Sequence, residues 1–562
     1  MLARAIVAAL TTVACTAVAA PAVAADPAYD VLVFSKTAGF RHDSIAAGVQ
    51  AIRDLGAANN FTVTATEDAT AFTATNLARF ETVVFLNTTG DVLDANQQSA
   101  FEAYIRGGGG FTGVHAAADT EYDWPFYGQL AGAWFASHPA VQPATVKVED
   151  RAHAATAHLP QSWTRTDEWY DYRTNARSTA HVLATLDESS YSGGTMGADH
   201  PHAWCKTLDA GRSFYTGGGH TASAYSEPAF RAHLLGGIRY TARRTHADCR
   251  PETGYTPLYN GSTSGWSQAG PGAFTSADAT LTSTGGMGLY WYSAKQFTSY
   301  SLKLDWRLAG DDNTGVFLGF PPSSDPWSAV NNGYEIQIDA TDAADRTTGS
   351  VYTFKAADIA ARDAALNPPG EWNTYEIRVE GERLQVFLNG VKINDYTNTD
   401  PVRSLAGHIG IQNHGDGDEA SFRNIRIKEL GGPVGGTGPV VGLAGKCLDV
   451  SNGGSADGTK VQLWTCNGSG AQTWQVSGQV WRNPQSNKCL DVSGGGTANG
   501  TRVQLWTCNG SGAQNWAAQS GGTVRNPQSG RCLDVSQNSS ADGQQIHLWD
   551  CHTGANQQWR LP

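Results

Sequence analysis

Residues 107 to 116 read GGGGFTGVHA: four glycines run into a short apolar strand that ends on a histidine. At such a strand-to-helix corner many α/β enzymes expose a Ser or Cys nucleophile. Here the corner residue is His115. An imidazole can move protons, hold a metal or bind hydroxyls, but it is a poor substitute for a thiolate. His42, Asp43, Asp119, Glu168 and His220 also fall at loop positions that follow strands. In a doubly wound sheet such loops converge on one crevice beyond the carboxyl ends of the strands. Four roles stay open for the set: acid and base, metal ligands, binding of hydroxyls without chemistry, or imidazoles bonded to backbone as structure. His138, in SHP, is a further candidate of the same kind.

A second set lies in GYEIQID, where Glu335, Gln337 and Asp339 alternate with Ile336 and Ile338. Alternation puts the three polar side chains on one face of a strand. That is the pattern of a binding concavity, and the plain alternative is a solvated outer face. His414, in QNHG, can be a partner acid or base, or a turn residue. Trp372 and Asn373, in GEWN, can position a substrate, and Trp372 equally fits a core. DGDE at 416–419 offers calcium-binding oxygens, although a solvated turn is the simpler reading.

These residues need elements to position them. Over 29–245 the pattern alternates between strand and helix: YDVLVFS, SIAAGVQAIRDLG, FTVTAT, ETVVFLN and DANQQSAFEAYIRGG. Continuous apolar strands separated by helices predict a mainly parallel, doubly wound sheet for the domain 26–248. From about Tyr255 the period changes to two, in YSLKLDWRL, GVFLGF, NTYEIRVE, LQVFLNGVKI and HIGIQN, and predicts a β-sandwich over 251–430. GGPVGGTGP, 431–439, reads as a flexible linker.

An internal repeat fills 440–562, with three copies beginning CLDV and ending Gln-x-Trp. The cysteines fall at the same interval in each copy, and a bridge within each is the economical reading: Cys447 with Cys466, Cys489 with Cys508, Cys532 with Cys551. Cys205 and Cys249 remain and are paired with each other. A sugar needs a flat apolar platform and a few donors and acceptors. Each repeat supplies an Asp after CL (Asp449, Asp491, Asp534) and a Trp before the second Cys (Trp464, Trp506, Trp549). A polar residue follows that Cys (Asn467, Asn509, His552).

The N-terminal MLARAIVAALTTVACTAVAAPAVAAD has an early Arg, an apolar run and small residues, and reads as a secretory signal peptide cut near Ala24 or Ala25. Its removal takes Cys15 and leaves eight cysteines, an even number in an exported chain, which favours disulfides over metal thiolates. The net charge of −13, with Lys and Arg scattered, argues against nucleic acid or an anionic membrane surface as partner. No later segment is long and apolar enough for a membrane span.

Three resemblances organise these readings. GGGGFTGVHAAADT, VLVFSKTAGFRHDSI, DEWY and GGGHT resemble the trehalose-utilisation (ThuA-like) family, which implies the class I glutamine amidotransferase fold. The elbow thiol of the amidotransferases is missing, so their amide chemistry is not expected. DDNTGVFLGF, GYEIQID, PPGEWNTYEIRVEG and GHIGIQNHGDGDEASFRNIRIKEL resemble the 3-keto-disaccharide hydrolase family, which implies a concanavalin-like jelly-roll sandwich. Phe320 stands where that family often has an Arg. The three repeats resemble the ricin B-type lectin β-trefoil, which implies one sugar pocket per repeat. Its third repeat matches best through Asn556, where the others have Ala471 and Ala513, and Trp474, Trp516 and Trp559 are expected in the core.

The combined expectation is a secreted, monomeric carbohydrate-active protein that acts on oligo- or polysaccharide. The resemblances favour a glycoside hydrolase-type enzyme acting on 3-keto-glycosides, with the lectin module as anchor. Glu335, Asp339, His414, His115, Glu168 and His220 are its catalytic candidates, and Gln337, Trp372, Asn373, His42 and Asp119 its substrate-binding candidates. A non-catalytic multimodular carbohydrate-binding protein is the alternative. No dinucleotide fingerprint is present and no cofactor is expected, with a divalent metal left open.

Overall fold

A computed structural model describes residues 25–400, 402–430, 436–477, 479–518 and 522–562. The expected signal peptide therefore lies almost wholly outside the described residues, as does the linker segment 431–435.

The first unit is a nine-stranded sheet. Phe61–Thr66, Tyr29–Phe34, Thr82–Leu86, Gly110–Val114 and Gly211–Thr216 are its parallel half. Tyr29–Phe34 and Thr82–Leu86 are mostly apolar on both faces, and both faces are covered. Val31, Val33, Val84 and Leu86 enter one core, and Leu32, Phe34, Val83, Phe85 and Phe111 enter the other. The sheet continues through Pro201–Leu208, His181–Leu186, Gln142–Val148 and Ser162–Asp167, all joined antiparallel. The parallel expectation thus holds for the half that carries the elbow. The other half is built from hairpin-type neighbours such as KTLDAGRS, where a short turn replaces a crossover helix.

The second unit packs an eight-stranded sheet on a five-stranded one. Leu302, Leu304 and Trp306 meet Val316, Leu318, Ile336, Ile338, Ile409 and Ile411 between them. The five-stranded sheet buries a second, smaller apolar patch on its outer face: Leu289, Trp291, Phe317, Phe320 and Ala329.

The first two units are joined through buried polar contacts. Arg239 bridges Asp26 and Glu371, at 2.7 Å to each. Asn367 accepts the His246 backbone N–H at 2.8 Å and donates to the His246 carbonyl at 2.9 Å. Lys303 reaches Asp248 at 2.9 Å and Glu252 at 3.0 Å.

The third unit contains five- and six-stranded sheets around Trp474, Trp516 and Trp559, each buried and each donating its indole N–H to a leucine carbonyl at 2.9 Å. Residues 436–439, read from sequence as linker, form the strand Gly436–Pro439 paired with Thr473–Ser477. All four disulfides form between the expected partners.

Candidate functional site

His115 occupies the elbow with φ +48°, a left-handed conformation costly for a side chain with a Cβ. Two contacts hold it there. The Tyr215 hydroxyl donates to the His115 carbonyl at 2.8 Å, and the His115 Nδ1 lies 2.8 Å from the Gly217 carbonyl. A β-carbon at Gly217 would strike the Tyr172 hydroxyl, 2.6 Å away, so the close approach of this carbonyl depends on glycine.

His220 follows the strand Gly211–Thr216, and its loop is pinned from the far edge of the sheet. The carboxylate of Asp167, paired with Arg165 at 2.8 Å, accepts the backbone N–H groups of Gly219 at 2.8 Å and His220 at 3.1 Å. Glu168 comes next in sequence and faces three imidazoles. Its Oε2 is 3.0 Å from His220 Nδ1 and 3.4 Å from His115 Nε2, and its Oε1 is 3.0 Å from His138 Nδ1. The His42 ring stands 5.0 Å from that of His115 and 5.1 Å from that of His220. Loops after four separate strands therefore meet at one place, as the sequence reading expects.

The electrostatics follow from burial and crowding. Burial, with His115 and His220 as neighbours, pushes the His42 imidazole down to about 3. Burial works to raise the Glu168 carboxyl, but the adjacent His115 and His220 imidazoles outweigh it and hold it at about 2. The Glu168 carboxylate in turn raises His220. His115 and His42 are buried, while His220 and His138 keep 24% and 42% of their side chains exposed, so solvent reaches the cluster from their side. Tyr170 lies against His115 with ring centroids 4.1 Å apart, and Phe135 backs Tyr170 at 4.4 Å. Phe40, 67% exposed, stands edge-on to His42 at the rim.

Asp119 stays outside the contact set. Its carboxylate accepts the Tyr122 hydroxyl at 2.5 Å, and burial raises it. Asp43 is exposed. Residue spacing does not point to Asp167, Tyr170 or Gly217, although DEWY and GGGHT contain them.

In the sandwich, Glu335 and Gln337 share one face with Phe317, Gly315, Gly410, Trp291, Leu289 and Gln412 through the strand register. The Glu335 carboxyl is 5% exposed, and burial pushes it up to about 8. Glu335 Oε1, Gln337 Oε1, Gln412 Oε1 and Trp291 Nε1 are buried without a hydrogen-bond partner. A row of orphaned polar atoms on one sheet face is unusual for a plain core. Phe320, in the place of the family's Arg, packs on Trp291 and Phe317.

The other sandwich candidates are otherwise engaged. Asp339 caps a turn, accepting the Thr341 and Asp342 backbone N–H groups at 2.9 and 3.2 Å, and takes the Asn313 amide at 2.9 Å. His414 is exposed and pairs with Asp418 at 2.9 Å in the turn after its strand. Trp372 is buried, with the Arg423 guanidinium 3.6 Å from its ring centre, which leaves no open face for a sugar. Asn373 is tied to Asn367 and Asn389 in the loop that meets the first unit.

In the trefoil, Trp464, Trp506 and Trp549 are 39%, 39% and 41% exposed, as platforms must be. A cavity of about 310 Å³ in the first repeat is lined by Asp449, Trp464, Asn467 and Ala471. Asp449 accepts amides from Gln462 and Gln472, and Asp491 from Gln504 and Gln514. Asp534 accepts from His547 at 2.9 Å, and from Asn556 and Gln557 at 2.8 Å each. The Gln of each Gln-x-Trp motif thus orients the Asp that follows CL while the Trp fills the core. The side-chain oxygens of Asn467 and Asn509 cap their own turns at Ser469 and Ser511, while His552 Nδ1 accepts the Gly554 N–H.

Known families match each unit. The trehalose-utilisation family (ThuA) matches residues 30–241, the 3-keto-alpha-glucoside-1,2-lyase-like domain residues 254–428, and the ricin-type beta-trefoil lectin domain residues 436–559. The chain joins these three domains in that order, and its function is carbohydrate-related, with a binding module. No curated protein gives a significant match. Among solved structures, a ThuA-like protein from Bacteroides uniformis is 22% identical with TM-score 0.34, over 39% of this chain and 94% of that one. A Parabacteroides distasonis protein described as a glycosyl hydrolase is 22% identical with TM-score 0.28, over 32% of this chain and 100% of that one. The designed threefold-symmetric ThreeFoil is 29% identical with TM-score 0.21, over 22% of this chain and 96% of that one. Among the described residues no helix is long and apolar enough to cross a membrane.

Proposed function

We propose that this chain is an exported enzyme that cleaves glycosidic bonds of 3-keto-glycosides in its sandwich domain and is held on polysaccharide by its trefoil. The observation that carries the reading is Glu335: a buried carboxyl, pushed up to about 8, with one oxygen unpartnered beside the unpartnered oxygens of Gln337 and Gln412. A ketone at C3 acidifies the C2 proton. A base removes that proton, the C1–O bond breaks as a C1–C2 double bond forms, and water then adds across it. The step needs an acid for the departing oxygen, and a carboxyl still protonated at neutral pH is suited to give it a proton. Gln337 and Gln412 offer amides to hydroxyls on the same face. The 3-keto-glucoside lyase-like match over 254–428 and the three exposed trefoil tryptophans support the substrate class. The disulfides and the lectin domain fit an extracellular setting.

The test is incubation of the full chain with 3-keto-trehalose and 3-keto-glucosides, scored by release of free sugar. Wild type is expected to turn over, and Glu335→Gln to lose about 100-fold or more in kcat. Glycan binding with no release of sugar by wild type returns the non-catalytic alternative.

A further inference from the structure

We propose that His42, His115, Glu168 and His220 form a binding site for one divalent transition metal of the zinc class. The four ligand atoms lie within 4.8 Å of one another. Three of them form a nearly regular triangle: His115 Nε2 to His220 Nδ1 3.2 Å, His115 Nε2 to Glu168 Oε2 3.4 Å, and His220 Nδ1 to Glu168 Oε2 3.0 Å. With metal–ligand bonds of about 2.0–2.1 Å, donor atoms of a tetrahedral site stand roughly 3.3 Å apart. The triangle has the dimensions of one face of that polyhedron, and His42 offers a fourth ligand atom within 4.8 Å of the other three.

The hydrogen-bond pattern points the same way. His115 Nδ1 lies against the Gly217 carbonyl at 2.8 Å, so in the neutral ring Nδ1 carries the proton and Nε2 presents a lone pair. That lone pair faces a carboxylate oxygen and another imidazole nitrogen. One proton on His220 can satisfy one edge of the triangle, whereas a cation at its centre satisfies all three. His42 adds a buried Nδ1 with no partner. Glu168 Oε1 is held by His138 at 3.0 Å, and the Gly217 carbonyl orients His115, which are the outer contacts that fix metal ligands. Three imidazoles and one carboxylate, without a thiolate, suit zinc, nickel, cobalt or iron rather than calcium or magnesium.

Two other clusters do not compete. Cys205 and Cys249, near His153, are joined to each other. In Asp171–Glu188–His200 both ring nitrogens of His200 are already bonded, to Glu188 and to the Tyr170 carbonyl.

The full chain, purified without a polyhistidine tag, is offered Zn2+, Co2+ and Ni2+, desalted, and measured for metal content. About one equivalent per chain is expected, with visible ligand-field absorption in the Co2+ form. His115→Ala and His220→Ala should lose the metal, and Glu188→Gln should keep it. His138→Ala should weaken binding by about ten- to hundredfold. Retention of almost no metal by wild type overturns the proposal, as does full retention by both His115→Ala and His220→Ala. Where these variants do not fold, wild type alone decides: no Co2+ absorption and no change of thermal stability on chelation overturn it. The readouts are independent of glycoside cleavage in the sandwich, so either idea can fail without the other.

Discussion

The carboxylate of Asp167 accepts the backbone N–H of His220 at 3.1 Å while its other oxygen holds the Arg165 guanidinium at 2.8 Å. A charge buried at the edge of the sheet thereby positions a loop that carries a site histidine. Asp167→Ala removes both contacts and leaves Arg165 buried, with Glu227 as its remaining ionic partner. The expected cost is about 3 kcal/mol, read as a lower midpoint of the first thermal transition, together with weaker metal retention. Unchanged stability and unchanged retention would show that the loop is held elsewhere.

Glu335 makes a pH prediction. Its folded value is raised to about 8 from an ordinary 4.5, so the protonated carboxyl favours the folded state. That contribution is complete below about pH 4.5 and is lost as pH rises to about 8. Glu335→Gln, which cannot titrate, should gain on wild type across this window by on the order of 5 kcal/mol. Thermal melts of both proteins from pH 4 to pH 9 check it, since parallel curves would mean an ordinary carboxyl.

The contrast between Glu335 and Asp339 shows what the sequence can disclose. Alternation in GYEIQID identifies the shared face correctly for Glu335 and Gln337. It cannot reveal that the strand ends at Ile338, so that Asp339 turns to cap the backbone of Thr341 and Asp342. Trp372 and Asn373 mislead for another reason: their partners, Arg423, Asn367 and Asn389, are distant in sequence or belong to a contact between units. In the first domain the loops after strands bring together His42, His115, Glu168 and His220, because the four antiparallel steps from Gly211–Thr216 to Ser162–Asp167 return that edge strand to the direction of the parallel half. Asp167 holds backbone N–H groups through its carboxylate and Gly217 holds His115 through its carbonyl, contacts that residue spacing alone does not reveal.

Asn367 tests the joint between the first two units. Its side chain exchanges hydrogen bonds with both backbone groups of His246 and accepts the Thr245 hydroxyl at 3.2 Å. Asn367→Ala leaves both backbone groups of His246 without this partner, at about 1–3 kcal/mol, while the Thr245 hydroxyl keeps Glu371 at 3.1 Å. Differential scanning calorimetry should then separate the unfolding of residues 26–248 from that of the sandwich. A single shared transition at the wild-type midpoint would deny the joint any coupling role.

The third trefoil repeat differs from the first two around its Asp, with His547 for Gln462 and Gln504, His552 for Asn467 and Asn509, and Asn556 for Ala471 and Ala513. Asn556 adds an amide to Asp534, while Ala471 and Ala513 add nothing to Asp449 and Asp491. Trp549→Ala should therefore weaken binding to immobilised glycan more than Trp464→Ala or Trp506→Ala, by about 1 kcal/mol. Ala471→Asn should move the first repeat toward the third. Equal losses from all three tryptophan variants would make the aromatic platform sufficient without the amide.

The Cys205–Cys249 bridge joins a central strand of the first sheet to the segment that leads into the sandwich, across 44 residues of sequence. Closing a loop of that length limits the unfolded chain by about 4 kcal/mol. Both cysteines are buried, so Ser at either position also places a hydroxyl in an apolar core. The double variant Cys205→Ala, Cys249→Ala isolates the cross-link itself. It should lower the midpoint of the first domain while leaving the trefoil, with its three separate bridges, at the wild-type value. Reduction under mild conditions should act in the opposite order, because the first bridge is buried whereas Cys466, Cys508 and Cys551 are exposed at the surface. Loss of the trefoil transition before the first-domain transition, as reductant is raised, is the expected calorimetric result.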